Sequence, residues 1–126
     1  MPRHVLLEER IHPAIRETIS ANHRDLVEEV QAAVANNDVV VVGMAQNPHP
    51  REAKALLKAR DIPFVYLEYG SYLKGWRRRN ALKMWTGWPT FPMVFVRGTL
   101  VGGASQLASL AESGELDALL KAEAST

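Results

Sequence analysis

Val39-Val40-Val41-Val42, then Arg51-Glu52-Ala53-Lys54-Ala55-Leu56-Leu57-Lys58-Ala59-Arg60, then Phe64-Val65-Tyr66-Leu67, is the stretch on which the fold turns. Four β-branched residues in a row, without polar alternation, are the pattern of a strand buried on both faces of a sheet. The residues from Arg51 to Arg60 are almost all strong helix formers. Asp61-Ile62-Pro63 then turns the chain into a second apolar run. Strand, helix, strand in that order implies parallel strands joined by a right-handed crossover.

The loop between the first strand and this helix is Gly43-Met44-Ala45-Gln46-Asn47-Pro48-His49-Pro50. Asn47 is a good N-cap and Pro48 suits the first helical position. Pro50 also fits the first turn, where backbone N–H groups lack helical partners. The two prolines nevertheless remove two of the donors that would make this helix start an anion site.

Upstream, Asn22 is placed to cap a helix running to about Ala35, with Leu26, Val27, Val30, Ala33 and Val34 at helical spacing. Asn36-Asn37-Asp38 ends it. Before it, Pro13 breaks any long helix, leaving at most a short one over Ile15 to Ile19. Downstream, a helix is expected from Lys74 to about Thr86, followed by the breaker-rich Gly87-Trp88-Pro89-Thr90-Phe91-Pro92. Met93-Val94-Phe95-Val96 and Thr99-Leu100-Val101 flank Arg97-Gly98, a two-residue hairpin whose Gly fits a positive φ. Gly102-Gly103 leads to a helix over Ser105 to Glu112, and Ser113-Gly114 separates that from a short last helix. The whole reads as one α/β domain with a mixed four-stranded sheet. Residues 1–21 form an N-terminal extension and residues 22–126 the domain proper.

Composition narrows the function classes. Of the 126 residues, 47% are hydrophobic and 23% charged, which fits a globular chain rather than a disordered one. Fifteen Lys and Arg against fourteen Asp and Glu give a net charge of +1, so no whole-chain electrostatic case for nucleic acid or an anionic membrane exists. The longest apolar run, Val39 to Met44, is far too short to span a bilayer. The acidic residues at Glu8 and Glu9 come too early for a secretory signal, and the expected location is cytoplasmic. There is no cysteine, so this chain alone supplies no disulfide, thiolate metal site, iron–sulfur cluster or cysteine nucleophile.

Four stretches carry a resemblance to a known family: Asn47 through Leu57, Ile62-Pro63-Phe64, Trp88-Pro89-Thr90-Phe91-Pro92, and Leu100-Val101-Gly102-Gly103. Together they resemble the glutaredoxins of the thioredoxin-like superfamily over about Leu26 to Leu120, and Glu112-Ser113-Gly114-Glu115-Leu116 supports this. Trp88-Pro89 before Thr90-Phe91-Pro92 is more similar to the monothiol branch than to the dithiol one. The resemblance implies a thioredoxin-like fold, with helices flanking a mixed four-stranded sheet, and a family activity of glutathione-dependent disulfide exchange.

The departure lies at the reactive atom. A dithiol glutaredoxin has Cys-Pro-Tyr-Cys where this chain has Asn47-Pro48-His49-Pro50, so Asn47 and Pro50 hold the two cysteine positions. Exchange needs a thiolate, which an amide cannot replace, and monothiol iron–sulfur ligation loses the same atom. Met44 stands where the family usually has a lysine. No catalytic residue, metal or cluster is therefore expected.

By the same resemblance the glutathione groove survives in part. Phe91 would offer its backbone N–H and C=O to the cysteinyl part of the peptide, and Pro92 is predicted cis. Arg79 and Lys83 align with basic positions that meet a carboxylate, or else form a solvated helix face. Gly103 belongs to the Gly-Gly turn, and Ala104 and Ser105 stand where the γ-glutamyl end is held, with no Asp for its ammonium. The ligand so implied is glutathione or an extended peptide. The alternative is a non-catalytic interaction or homodimerisation module with a vestigial groove, acting through Trp76, Trp88 and the N-terminal segment.

Other chemistry is thin. His4, His12, His23 and His49 lack metal-ligand spacing, and Ser20, Ser71, Ser105, Ser109 and Ser113 lack a nucleophile elbow. Lys74, Arg77, Arg78, Arg79 and Lys83, interleaved with Trp76 and Trp85, form the one basic stretch. A charged helix face explains it better than RNA does.

Overall fold

The computed structural model describes residues 3–45, 47–70 and 76–122. Strand β1 (Val39–Gly43) is buried at every position, as its unalternating valines require. It pairs in parallel with β2 (Val65–Glu68), Val41 opposite Tyr66, and antiparallel with β3 (Met93–Val96), Val41 opposite Val94. Strand β4 (Thr99–Gly102) completes the sheet in the order β2-β1-β3-β4, with a register irregularity between Val94 and Phe95. Arg97 (φ 52°) and Gly98 (φ 82°) join β3 to β4, both with the positive φ of a type I′ hairpin turn.

The period-2 alternation of the strands divides the core. Val40, Val42, Met93 and Phe95 face one side, where Leu26 and Val30 of α2 (Arg24–Asn36) and Leu82 of α4 (Trp76–Thr86) cover them. Val39, Val41, Val94 and Val96 face the other side, against Ala53 and Leu57 of α3 (Pro48–Ala59), Leu107 and Ala111 of α5 (Ala104–Ser113), and Leu116 of α6 (Glu115–Ala122). The result is a mixed four-stranded sheet between two helical layers. Among the described residues no helix is long and apolar enough to cross a membrane.

The clearest departures from the sequence expectation fall around α1 and the start of α2. Helix α1 spans Pro13–Ala21, longer than Ile15 to Ile19, because the His12 side chain caps it by accepting from the Ala14 N–H at 3.0 Å. Asn22 then closes α1, its N–H bonded to the Ile19 carbonyl, instead of capping α2. The residue before α2 is His23, in a left-handed conformation at φ 49°. The expected helix start at Lys74 lies outside the described residues.

Candidate functional site

The parallel strand β1 ends at Gly43, and the chain re-enters α3 immediately beyond it. A Cβ on Gly43 would stand 2.8 Å from Pro50 Cβ and 2.9 Å from Tyr66 Oη, so only glycine lets the head of α3 pack this closely on the strand end. Pro50 is buried there and serves as a packing residue. Met44 is also buried, in the core with Leu26 and Leu82.

Asn47 does what its residue type predicts, and one thing more. Its Oδ1 accepts from the His49 N–H at 3.0 Å, capping α3, with Pro48 as the first helical residue. Its Nδ2 donates to the Phe91 carbonyl at 3.3 Å, 44 residues away in sequence. The amide thus ties the head of α3 to the loop before β3, where the Phe91–Pro92 bond is cis.

Across that tie lies a groove of about 400 Å³. Phe91, Pro92, Gly103 and Ser105 line it, together with His49, Trp88 and Gln106. His49 and Glu52 form a rim pair at 3.5 Å, each 63% exposed. Gly103 precedes α5, and its N–H donates to Gln106 Oε1 at 3.0 Å. Gln106 thus reaches back to the start of α5, while the Ser105 side chain is exposed. Glycine has no side chain to complete a capping box, so only its Gln half is present and the sequence gives no full signal for it. The Trp88 indole nitrogen, also at this end, is buried without a hydrogen-bond partner among the described residues.

The two basic positions part company. Lys83 places its ammonium 5.8 Å from the Phe91 ring centroid, beside the groove. Arg79, although on the same helix, is only 7% exposed and is not among the residues that line the groove. Trp76, by contrast, is 56% exposed, with the Arg77 guanidinium over its ring.

Two tyrosines have perturbed hydroxyls, Tyr66 against the head of α3 and Tyr69 on the α2 side of the sheet. Burial, reinforced by the Glu68 carboxylate that accepts its hydroxyl hydrogen bond at 3.0 Å, pushes the Tyr66 phenol up to about 12. The Lys54 ammonium lies 3.9 Å from the Tyr66 ring centroid. Burial likewise raises the Tyr69 phenol, again aided by a carboxylate, Glu29, to which it donates. No cluster of three or more His, Asp or Glu side chains among the described residues is arranged to hold a metal ion.

Comparison with known proteins bears on this geometry. A glutaredoxin family model matches residues 39–101, from β1 through β4. A glutaredoxin-like protein of Dictyostelium discoideum is 46% identical over 98 residues, covering 78% of this chain and 80% of that one. The crystal structure of a wheat glutaredoxin superposes with a TM-score of 0.67 at 29% identity, over 79% of this chain and 92% of that one. A buckwheat glutaredoxin solved as its glutathione complex superposes with a TM-score of 0.68 at 24% identity, over 78% and 89% of the two chains.

Proposed function

The chain belongs to the glutaredoxin family, and from that premise we propose that it is a binding protein rather than a redox catalyst. It holds glutathione or an extended peptide reversibly in the Phe91–Gly103 groove. The observation that carries this reading is the combination at the head of α3: the groove is lined, yet Asn47 occupies the place of the attacking sulfur. A disulfide entering the groove meets an amide, which cannot displace a thiolate from sulfur, so the encounter ends in release.

The chain's own groups divide the recognition. The Phe91 main chain pairs with the peptide backbone as an added strand would. Lys83 provides a cation for a carboxylate from beside the Phe91 ring, while the buried Arg79 stays out of the groove. At the other end, the N–H groups that open α5 at Ala104 and Ser105 receive the second carboxylate. The buckwheat relative, which shares the fold, is bound to glutathione in its structure, which makes that tripeptide the first ligand to try.

Titration of reduced glutathione into isotope-labelled protein tests the reading. The expected outcome is saturable amide shifts clustered at Phe91, Gly103 and Ser105, with weaker ones at Arg79 and Lys83. Absence of shifts at millimolar glutathione would overturn it. A second reading, an interaction or homodimerisation module, is favoured by the 56% exposure of Trp76 and the 68% exposure of Met84 on α4. It requires instead a mass that rises with protein concentration and no response to glutathione.

A further inference from the structure

We infer that Asn47 is the groove's internal competitor: its side-chain amide occupies the main-chain acceptor that a bound peptide would use. This rests on the groove reading above and says what governs affinity within it. Asn47 touches two of the residues that line the groove, accepting from the His49 N–H and donating to the Phe91 carbonyl. The second contact is not needed for the first. Capping requires only a side-chain oxygen, which Ser supplies as well as Asn. The donor Nδ2 is surplus to the cap, and it is directed at Phe91, the residue from which an added strand would take its main-chain hydrogen bonds.

The consequence is a groove partly satisfied before any ligand arrives. A peptide N–H that pairs with the Phe91 carbonyl either shares that oxygen's second lone pair with the Asn47 amide, crowding it, or displaces the amide, which is half-buried and loses a partner when it moves. A half-buried amide left without its acceptor works against the ligand. The carbonyl in turn gains nothing from the exchange beyond the bond it already had. Loss of the thiol therefore did more than remove a nucleophile: the replacement residue lowers the affinity of the site it sits in. Ligands that pair elsewhere along the groove, at the start of α5, escape this competition.

The test compares wild-type protein with Asn47→Ser, which keeps the cap and is too short to reach Phe91. Reduced glutathione should bind Asn47→Ser about threefold to tenfold more tightly, the worth of one surface hydrogen bond no longer displaced. In wild-type protein the Asn47 side-chain amide signals should shift in step with the Phe91 backbone amide as glutathione saturates. Wild-type binding with equal or weaker binding by Asn47→Ser would overturn the inference and leave the groove reading standing. Should Asn47→Ser not fold, a Phe91 shift without any Asn47 side-chain shift has the same force. Absence of binding by both proteins would overturn the inference together with the groove reading.

Discussion

The groove has two walls, built on different terms. One is the loop before β3 with the turn before α5: Trp88, Phe91, Pro92 and Gly103. It is made of ring shape, proline and backbone, the stretch on which the family resemblance rests. The other is the head of α3, where the resemblance sets Asn47 and Pro50 at the cysteine positions and Met44 at the usual lysine. All three have structural employment: Asn47 caps the helix, while Pro50 and Met44 are buried. The contrast shows that an active-site wall can be refitted for packing while the opposite wall, which never held the reactive atom, keeps its form.

Adding one methyl to each wall should separate them most strongly. Gly43→Ala forces a Cβ to within 2.8 Å of Pro50 and must push the head of α3 off β1. A loss of about 1–3 kcal/mol is expected in chemical denaturation, the usual cost of overpacking. Gly103→Ala meets its nearest atoms, the Pro92 carbonyl oxygen and Gln106 Oε1, only at 3.4 Å. It should cost under about 1 kcal/mol, chiefly from exchanging a glycine N-cap for alanine. Equal costs would dissolve the distinction between the walls.

A smaller effect comes from the alkaline side. Tyr66 packs behind the α3 head, and its phenol is raised to about 12 from its usual value of about 10. A phenol whose folded pKa is raised favours the folded state while it stays protonated. Its contribution is complete below about pH 10 and is lost as pH climbs through about 12. Tyr66→Phe should therefore flatten part of the alkaline fall in melting temperature. A variant that falls as steeply as wild type would show that Tyr66 ionisation plays no part in holding this wall.

How much of this was legible in the sequence follows from how local each cause is. Val39 to Val42 announce a central strand because burial on both faces needs no partner information. Arg97-Gly98 and Asn47-Pro48 are equally direct, since turn and cap chemistry act over two or three residues. The start of α2 was misread because two neighbouring residues competed for one role, and the longer α1 took Asn22 as its own end. On α4 the sequence Trp76-Arg77-Arg78-Arg79 offers no apolar period to show which arginine turns inward. That Arg79 is buried while Arg77 and Arg78 are exposed emerges only from packing. The Asn47–Phe91 bond spans 44 residues, beyond the reach of any local pattern.

The central claim is that the groove still recognises its ligand without the attacking sulfur, and supplying that atom tests it most directly. Asn47→Cys places a thiol at a helix start, where a thiolate is favoured. Given oxidised glutathione, that thiolate should attack one sulfur, form a protein–glutathione mixed disulfide and release reduced glutathione, all readable by intact mass. The account predicts that the variant reacts with oxidised glutathione at least about tenfold faster than with a small uncharged disulfide, the equivalent of ~1.4 kcal/mol of recognition by the groove. Equal rates with the two disulfides would contradict it, because the introduced thiol would then be reacting on a surface that recognises nothing.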